Sequence, residues 1–305
     1  MEITGPMVKD LRDKTGAGIM DCKSALKETN GDMEQAIDWL RKKGLSKAAK
    51  KAGRVAAEGL VGVAVGKKSG ALVEVNAETD FVARNDQFKD FVKSAAKLGL
   101  EADGDLEKLL AKPMSGSTVD ATLKELVAKI GENMSVRRAT ALSVSEGVVA
   151  TYVHNASGPE LGKIGVLVAL KSSGNEDKLM ALGKQIAMHV AAANPLALTA
   201  AHLSKDVIER ERAVQAEIAR QSGKPENVIE KMMEGRMRKF YEESVLMNQV
   251  FVIDGETPIS KVVEKAAKEL GAPIEVEGFV RYQVGEGIEK VTSDFADEVK
   301  QMSGG

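Results

Sequence analysis

The chain has a single cysteine, Cys22, so no disulfide can form within one molecule. A lone thiol suits a reducing compartment, and a cytoplasmic protein is expected. Aromatic residues make up only 4% of the 305 residues, so a ring placed in a connector needs a physical reason. Neither sign of charge dominates: Lys+Arg 43 against Asp+Glu 45 leave a net charge of -2 and a pI near 6.1. That balance exerts no global pull toward nucleic acid or an anionic membrane. The longest apolar run, residues 166–170, is far too short to span a bilayer. The start, Met1-Glu2-Ile3-Thr4, is acidic and runs into helix signals, so neither a secretory nor a mitochondrial leader is expected.

Reactive constellations are equally scarce. His154, His189 and His202 show no metal-ligand spacing with one another or with Cys22. His189 falls on an apolar helix face, where a satisfied core histidine is the ordinary outcome. Gly16-Ala17-Gly18 does not follow a strand and is no dinucleotide fingerprint. Gly158-Pro159-Glu160-Leu161-Gly162-Lys163-Ile164 has three residues between its glycines and Ile164 in place of a magnesium-holding hydroxyl, which departs from a phosphate loop. No G-x-S-x-G is present. No covalent chemistry, cofactor or metal is expected, and an interaction protein fits better than an enzyme.

What is there is an ordinary globular composition, 43% hydrophobic and 29% charged, long enough for two or three modules. Three short helices open the chain. Thr4 with Pro6 starts the first, with Met7, Val8 and Leu11 on its apolar face and Gly16 past its end. The second turns Ile19, Cys22, Ala25 and Leu26 inward and closes at Asn30-Gly31. Asp32, three residues before Gln35, caps a third that ends near Gly44. Arg12 and Met20 are left pointing outward, Met20 as either a soft partner surface or an incidental exposed residue. The Ala/Lys stretch that follows reads as a solvated linker with helical propensity; RNA contact is the rarer reading, because no aromatics are interleaved.

Strands at 60–65 and 71–76 form a hairpin, followed by a helix carrying Phe88, Phe91, Val92 and Ala95 that Asn85 or Asp86 could cap. Residues 99–118 read as a loop with one short helix, and a helix around Leu123 to Ile130 and a strand near 137–145 complete the unit. The same order of strand, turn, strand and helix recurs: a strand at 148–154, a loop at 155–163, a strand at 164–171 and a helix at 176–193. A helical hairpin is inserted in this second unit, one arm with Val207, Val214 and Ile218 on a stripe, the other with Ile229, Met232, Met233, Met237 and Phe240. That methionine stripe either seals the hairpin or offers a groove. A strand at 249–253, a helix begun by Thr257-Pro258, short strands at 274–277 and 279–284 and a last helix capped by Asp294 follow.

The expected fold is therefore α+β. It has a three-helix, UBA-like module at 1–45, a basic linker at 46–58, and two duplicated core subdomains with antiparallel sheets, one at 59–145 and the other at 146–200 with 241–288. The helical hairpin spans 201–240 and a C-terminal module 289–305.

The stretch between the first hairpin and its helix, Thr79-Asp80-Phe81-Val82-Ala83-Arg84, stands apart. Tight strand-to-helix joints are normally filled with Gly, Asn and Ser, yet this one carries an acid, a large ring and a base. Phe81 either folds back as a local hydrophobic plug or points outward as an anchor for another protein. The equivalent joint of the second unit, Ser172-Ser173-Gly174-Asn175, is bland.

Leu11-Arg12-x-x-Thr15-Gly16-Ala17-Gly18-Ile19-Met20-Asp21-Cys22-Lys23 and Glu74-Val75-Asn76-x-x-Thr79-Asp80-Phe81-Val82-Ala83-Arg84 closely resemble the two signatures of bacterial elongation factor Ts. Ile130-Gly131-Glu132-Asn133, Ile186-Ala187-Met188-His189, Gln221-Ser222-Gly223-Lys224-Pro225 and Phe279-Val280-Arg281-Tyr282 are similar to further family motifs. The resemblance runs from Ile3 to about Met302. It departs at Arg84-Asn85, where Lys-Asp or Lys-Asn is commoner, at Val250, where the family carries Pro, and at a longer 253–273 segment. It implies a guanine-nucleotide exchange factor for elongation factor Tu. Arg12, Ile19, Met20 and Phe295 would contact the GTPase, and Thr79, Asp80, Phe81 and Val82 would form the wedge that displaces magnesium. The hairpin would mediate a homodimer, and no membrane or direct nucleic-acid contact is implied. Two alternatives are a non-catalytic adaptor built from a binding module and a self-associating hairpin, and an RNA-binding accessory factor using residues 41–54.

Overall fold

The structure, a computed structural model, describes residues 3–289 apart from Ser222 and Lys224. The expected last helix from Asp294, and Phe295 on it, lie outside the described residues.

Helices α1 (Gly5–Thr15), α2 (Ile19–Glu28) and α3 (Met33–Lys51) open the chain. The Asp32 carboxylate accepts the Gln35 amide at 2.9 Å, an N-terminal cap that satisfies one otherwise orphaned donor. Leu11, Cys22, Ala25, Leu26 and Ala36 are fully buried between the three helices. Two expectations fail here. The third helix does not end near Gly44 but continues to Lys51, because Ala and Lys prolong it at little cost and Ala48 docks on the neighbouring core. Ile19, expected inward, is 54% exposed, because it is the first residue of α2, where no neighbouring helix covers it.

The first unit runs β1 (Glu58–Val65), β2 (Ser69–Ala77), α4 (Asp80–Arg84), α5 (Asp86–Glu101), α6 (Leu106–Ala111), β3 (Pro113–Met114), β4 (Ser117–Thr118), α7 (Val119–Ile130) and β5 (Met134–Ser143). The second runs β6 (Gly147–Gly158), β7 (Leu161–Lys171), α8 (Glu176–Ala193), α9 (Lys205–Arg220), α10 (Glu226–Ser244), α11 (Ile259–Leu270) and β8 (Glu275–Gln283). The recurring motif is visible in its caps: the Asn85 side chain accepts amides of α5, and Asn175 accepts the Lys178 amide of α8. The expected loop at 155–163 is instead a continuation of both strands, reversed around Pro159-Glu160. Residues 249–253 form no strand, only an isolated bridge from Val250 to Pro258, and the two short strands near the end are the single strand β8.

All pairings between the strands are antiparallel, and strands of both units join in one six-stranded sheet ordered β5-β2-β1-β7-β6, with β8 also on β7. The link between units is short, Val61 opposite Gly162 and Gly62 opposite Leu161. Each half has a helix-covered core: Phe88, Phe91, Val92 and Leu123 in the first, Leu179, Ile186, Val190 and Val263 in the second. A third cluster, with Val61, Val63, Leu72, Val149 and Leu167, is built from the strands of both halves. Strand β2 is thereby covered on both faces, and Glu74 and Asn76 are fully buried with its apolar residues. Alternation such as Val73-Glu74-Val75-Asn76 is what a half-buried strand shows; here the second cover comes from residues far away in sequence.

Candidate functional site

The chain leaves β2 at Ala77 and enters α4 within three residues. Helix α4 lasts five residues, because Asn85 takes an extended conformation (φ -69, ψ 128) and starts α5 afresh as its cap. One turn of helix divides its side chains between two sides. Val82 and Ala83, 3% and 4% exposed, pack into the first core, and Phe81 is turned out to solvent at 75% exposure. The local-plug reading of Phe81 is thus excluded in the free chain. An exposed Phe forgoes about 2–3 kcal/mol of burial free energy, which remains available to a partner.

The ring is flanked by a charged pair on its own turn. Arg84 Nη2 lies 2.7 Å from Asp80 Oδ2, and the guanidinium carbon is 6.0 Å from the centre of the Phe81 ring. Both ions are solvated, so the pair contributes little to stability. It does hold the Asp80 carboxylate beside the ring.

Thr79 occupies the cap position of α4, yet its hydroxyl does not cap the helix. The Glu132 carboxylate takes it instead, with Oγ1 2.9 Å and 3.0 Å from the two carboxylate oxygens and the Thr79 amide donating at 3.0 Å. The neighbouring residues return the contact: the Asn133 amide donates to Glu78 at 2.5 Å. Asn133 Nδ2 donates to the Arg54 carbonyl at 2.7 Å, and the Lys51 ammonium donates to the Gly131 carbonyl. Gly131 makes this possible by ending α7 in the left-handed region (φ 92), a conformation that costs a side-chain-bearing residue about 1 kcal/mol or more. Sequence reasoning singled out Ile130-Gly131-Glu132-Asn133 only as part of a resemblance; the partners are more than fifty residues away, beyond any local pattern.

The other expected contact residues lie on the N-terminal helices. Arg12 is exposed on α1, and Met20 is 73% exposed beside Ile19 in the first turn of α2. A cleft of about 480 Å³ is bordered by Gly16, Asn85, Asp86, Gln87, Lys129 and Ile130. It thus joins the loop before α2 to the end of the Phe81 turn. The basic stretch of α3 is engaged internally: Lys43 and Lys47 bind Asp21 at 3.2 and 2.7 Å, and Arg41 binds Glu125 at 3.3 Å. The hydrogen bond from Lys47 is the main reason the Asp21 carboxyl stays below its usual range, against the opposing effect of burial. Among the described residues no group of three or more His, Cys, Asp or Glu side chains is arranged to hold a metal ion. No described helix is long and apolar enough to cross a membrane.

A family model described as Elongation factor TS matches residues 78–286, more than half of the chain and beginning one residue before Thr79. The chain belongs to the elongation factor Ts family. Elongation factor Ts of Rhodospirillum centenum is 61% identical over 305 residues, covering 99% of both chains. That of Rhodospirillum rubrum is 62% identical over 301 residues, covering 98% of this chain and 97% of its own. That of Sinorhizobium fredii is 55% identical over the full length of both. This is a translation elongation factor, and its work lies in protein biosynthesis. The α+β architecture, with N-terminal helices ahead of an antiparallel core, agrees with the resemblance.

Proposed function

We propose that this member of the elongation factor Ts family is a guanine-nucleotide exchange factor that promotes GDP release from elongation factor Tu in the cytoplasm, without covalent chemistry of its own. The observation that carries the reading is the 75% exposure of Phe81 on a short, internally braced turn between the buried strand β2 and the core-packed helix α5. A GTPase holds GDP through phosphate contacts and a bridging magnesium, which depend on an ordered loop. An exchange factor needs binding free energy that is available only when that loop is displaced. Thr79-Asp80-Phe81-Val82 supplies the wedge: Phe81 enters the partner, Asp80 competes for groups that order the magnesium shell, and Thr79 and Val82 anchor the turn.

Burying one Phe side chain yields about 2–3 kcal/mol. A thousandfold to hundred-thousandfold acceleration needs about 4–7 kcal/mol off the release barrier. The remainder comes from the N-terminal module, through Arg12, Ile19 and Met20, and from the C-terminal module that carries Phe295. By reciprocity, nucleotide rebinding weakens the grip by the same coupling and frees the factor. The module boundaries expected from the sequence belong to the same reading. So does self-association through the α9–α10 hairpin, which is supported by an uncovered stripe: Val207, Val214 and Ile218 are 38%, 48% and 45% exposed.

The engagement of Lys43, Lys47 and Lys51 inside the molecule weighs against the RNA-binding alternative. Release of fluorescent GDP from elongation factor Tu separates exchange from a passive adaptor. The wild-type chain should accelerate release, and Phe81→Ala should slow it by about tenfold or more with an unchanged fold. No acceleration by the wild type would leave the adaptor reading.

A further inference from the structure

Residues 130–133 have no place in the exchange mechanism as derived, yet they grip the Glu78-Thr79 base of the Phe81 turn. We propose that Glu132 is a positioning residue for the wedge, and that with Asn133 it fixes the Phe81 turn against the end of the N-terminal module. The inference rests on the exchange reading above.

Three observations carry it. First, Glu132 spends both carboxylate oxygens on Thr79, whose hydroxyl and amide both donate to it, so the residue two before Phe81 is held at two points. A charge-assisted double contact restricts orientation as well as distance. Second, the contact is reciprocated, because Glu78 accepts the Asn133 amide, so the 78–79 and 132–133 segments grip each other. Third, the same segment reaches the end of α3 and the chain beyond it: Asn133 holds the Arg54 carbonyl, Lys51 holds the Gly131 carbonyl, and Arg54 lies 3.6 Å from Glu78. Phe81 itself touches none of these groups. Val82 and Ala83 seat the far side of the turn in the core, and the polar contacts at its base fix the Thr79 end from which Phe81 projects. The same contact accompanies the uncapped start of α4: the Thr79 side chain is engaged with Glu132 and makes no cap hydrogen bond to the α4 amides.

The consequence is a division of labour. Loss of the clamp leaves Ile19 and Met20 free to bind but lets the wedge wander. Release from elongation factor Tu is measured as the maximal rate at saturating factor and as the half-saturating concentration. Glu132→Ala should lower the maximal rate about tenfold, with the half-saturating concentration changed less than about twofold. Glu132→Gln, which keeps one acceptor oxygen for the Thr79 amide, should recover part of the loss. In a Phe81→Ala background Glu132→Ala should change the rate less than about twofold, because there is no ring left to aim. Thr79→Val removes the hydroxyl without touching Glu132 and should give a smaller loss that likewise vanishes with Phe81→Ala; it decides the matter if Glu132→Ala does not fold. Equal losses with and without the ring, or an effect on half-saturation alone, would overturn the clamp and leave the wedge standing. A Phe81→Ala chain as active as wild type would overturn the wedge, and the clamp with it, while a wild-type chain that does not accelerate release would overturn the exchange reading itself.

Discussion

Glu74 on β2 accepts the Gly285 amide at 2.8 Å, a contact spanning 211 residues of sequence. The same carboxylate, fully buried, also takes Asn76 Nδ2 at 3.0 Å, Arg137 Nη1 at 3.2 Å and Arg138 Nε at 2.5 Å. Gly285 is in the left-handed region, and a Cβ there would meet the Ala57 carbonyl oxygen at 2.2 Å, so the position is closed to other residues. Burial alone pushes the Glu74 carboxyl up, but the Gly285 amide, Arg138 and Asn76 outweigh it and hold it below the usual glutamate range. Its folded pKa is therefore depressed, so the stabilisation is complete above the unfolded value of about 4.3 and is lost as pH falls through the folded value. Glu74→Ala leaves two half-buried arginines facing an empty site and should cost about 3 kcal/mol in urea unfolding at neutral pH. Glu74→Gln should flatten the loss of stability below about pH 4.3 relative to wild type. An unaltered acid limb would mean that other carboxyls govern it.

His189 also costs stability as pH falls, but in a higher window. It is fully buried on α8, its Nε2 2.9 Å from Gln249 Oε1, and its Nδ1 accepts the Val252 amide at 3.2 Å. That amide fixes a neutral ring with the proton on Nε2. Burial lowers the His189 pKa, against a smaller opposing effect of Gln249. The unfolded chain then binds the proton more readily, so stability is full above about pH 6.5 and declines as pH falls below it. His189→Gln should remove that decline between about pH 6.5 and 5 while lowering stability at pH 8. A wild-type stability constant across that window would contradict the assignment.

Local chemistry was legible and distant pairing was not. Asp32 and Asn85 were readable as caps because a cap and its target lie within one turn, whereas Asn175, which caps α8, sat unremarked in a bland turn. Outward Phe81 was readable as an oddity of composition, but only the structure excludes its folding back in the free chain. Glu74 was hidden, since an alternating strand looks the same whether its polar side meets water or another sheet. Glu132 was hidden because its value depends on Thr79, 53 residues away. The stripe of Val207, Val214 and Ile218 was legible, but not its direction: α9 turns Ile208, Gln215 and Ala219 toward α10, with Arg236 donating to Gln215 at 2.7 Å, and leaves the stripe outside. Of the methionine stripe, Met237 is buried and Met232 and Met233 are half-buried.

Met20 and Phe81 are the most exposed large apolar side chains among the described residues, and the proposed mechanism gives them different tasks. Substituting Ile19→Ala with Met20→Ala should raise the half-saturating concentration for GDP release by about tenfold, since each side chain forgoes about 1–2 kcal/mol of burial against the partner. The maximal rate should fall by less than about threefold. Phe81→Ala should do the reverse. Neither change should move the unfolding free energy by more than about 0.5 kcal/mol, because both sites are solvent-exposed. Titrating factor against a fixed amount of GDP-loaded elongation factor Tu reads both parameters at once. Identical profiles for the two variants would dissolve the division between holding and prying.

The hairpin stripe yields the last test. Val207, Val214 and Ile218 are spaced by seven and four residues on α9, so they fall along one face of the helix, and the facing side of α10 does not cover them. A second copy of the hairpin would bury them in a seam of the kind heptad spacing forms. Val214→Glu with Ile218→Lys adds charge at the centre of that face and touches neither Met237 nor the Gln215–Arg236 contact inside the hairpin. Sedimentation equilibrium should find a concentration-dependent dimer for the wild type and a monomer for the double variant, with the thermal midpoint unchanged. Because the stripe is remote in sequence from Thr79, Phe81 and Met20, the monomeric variant should keep its maximal GDP-release rate within about twofold. A wild-type chain that stays monomeric across the range would assign the stripe no partner copy, and a variant that loses release in step with dimerisation would place the second copy within the working unit.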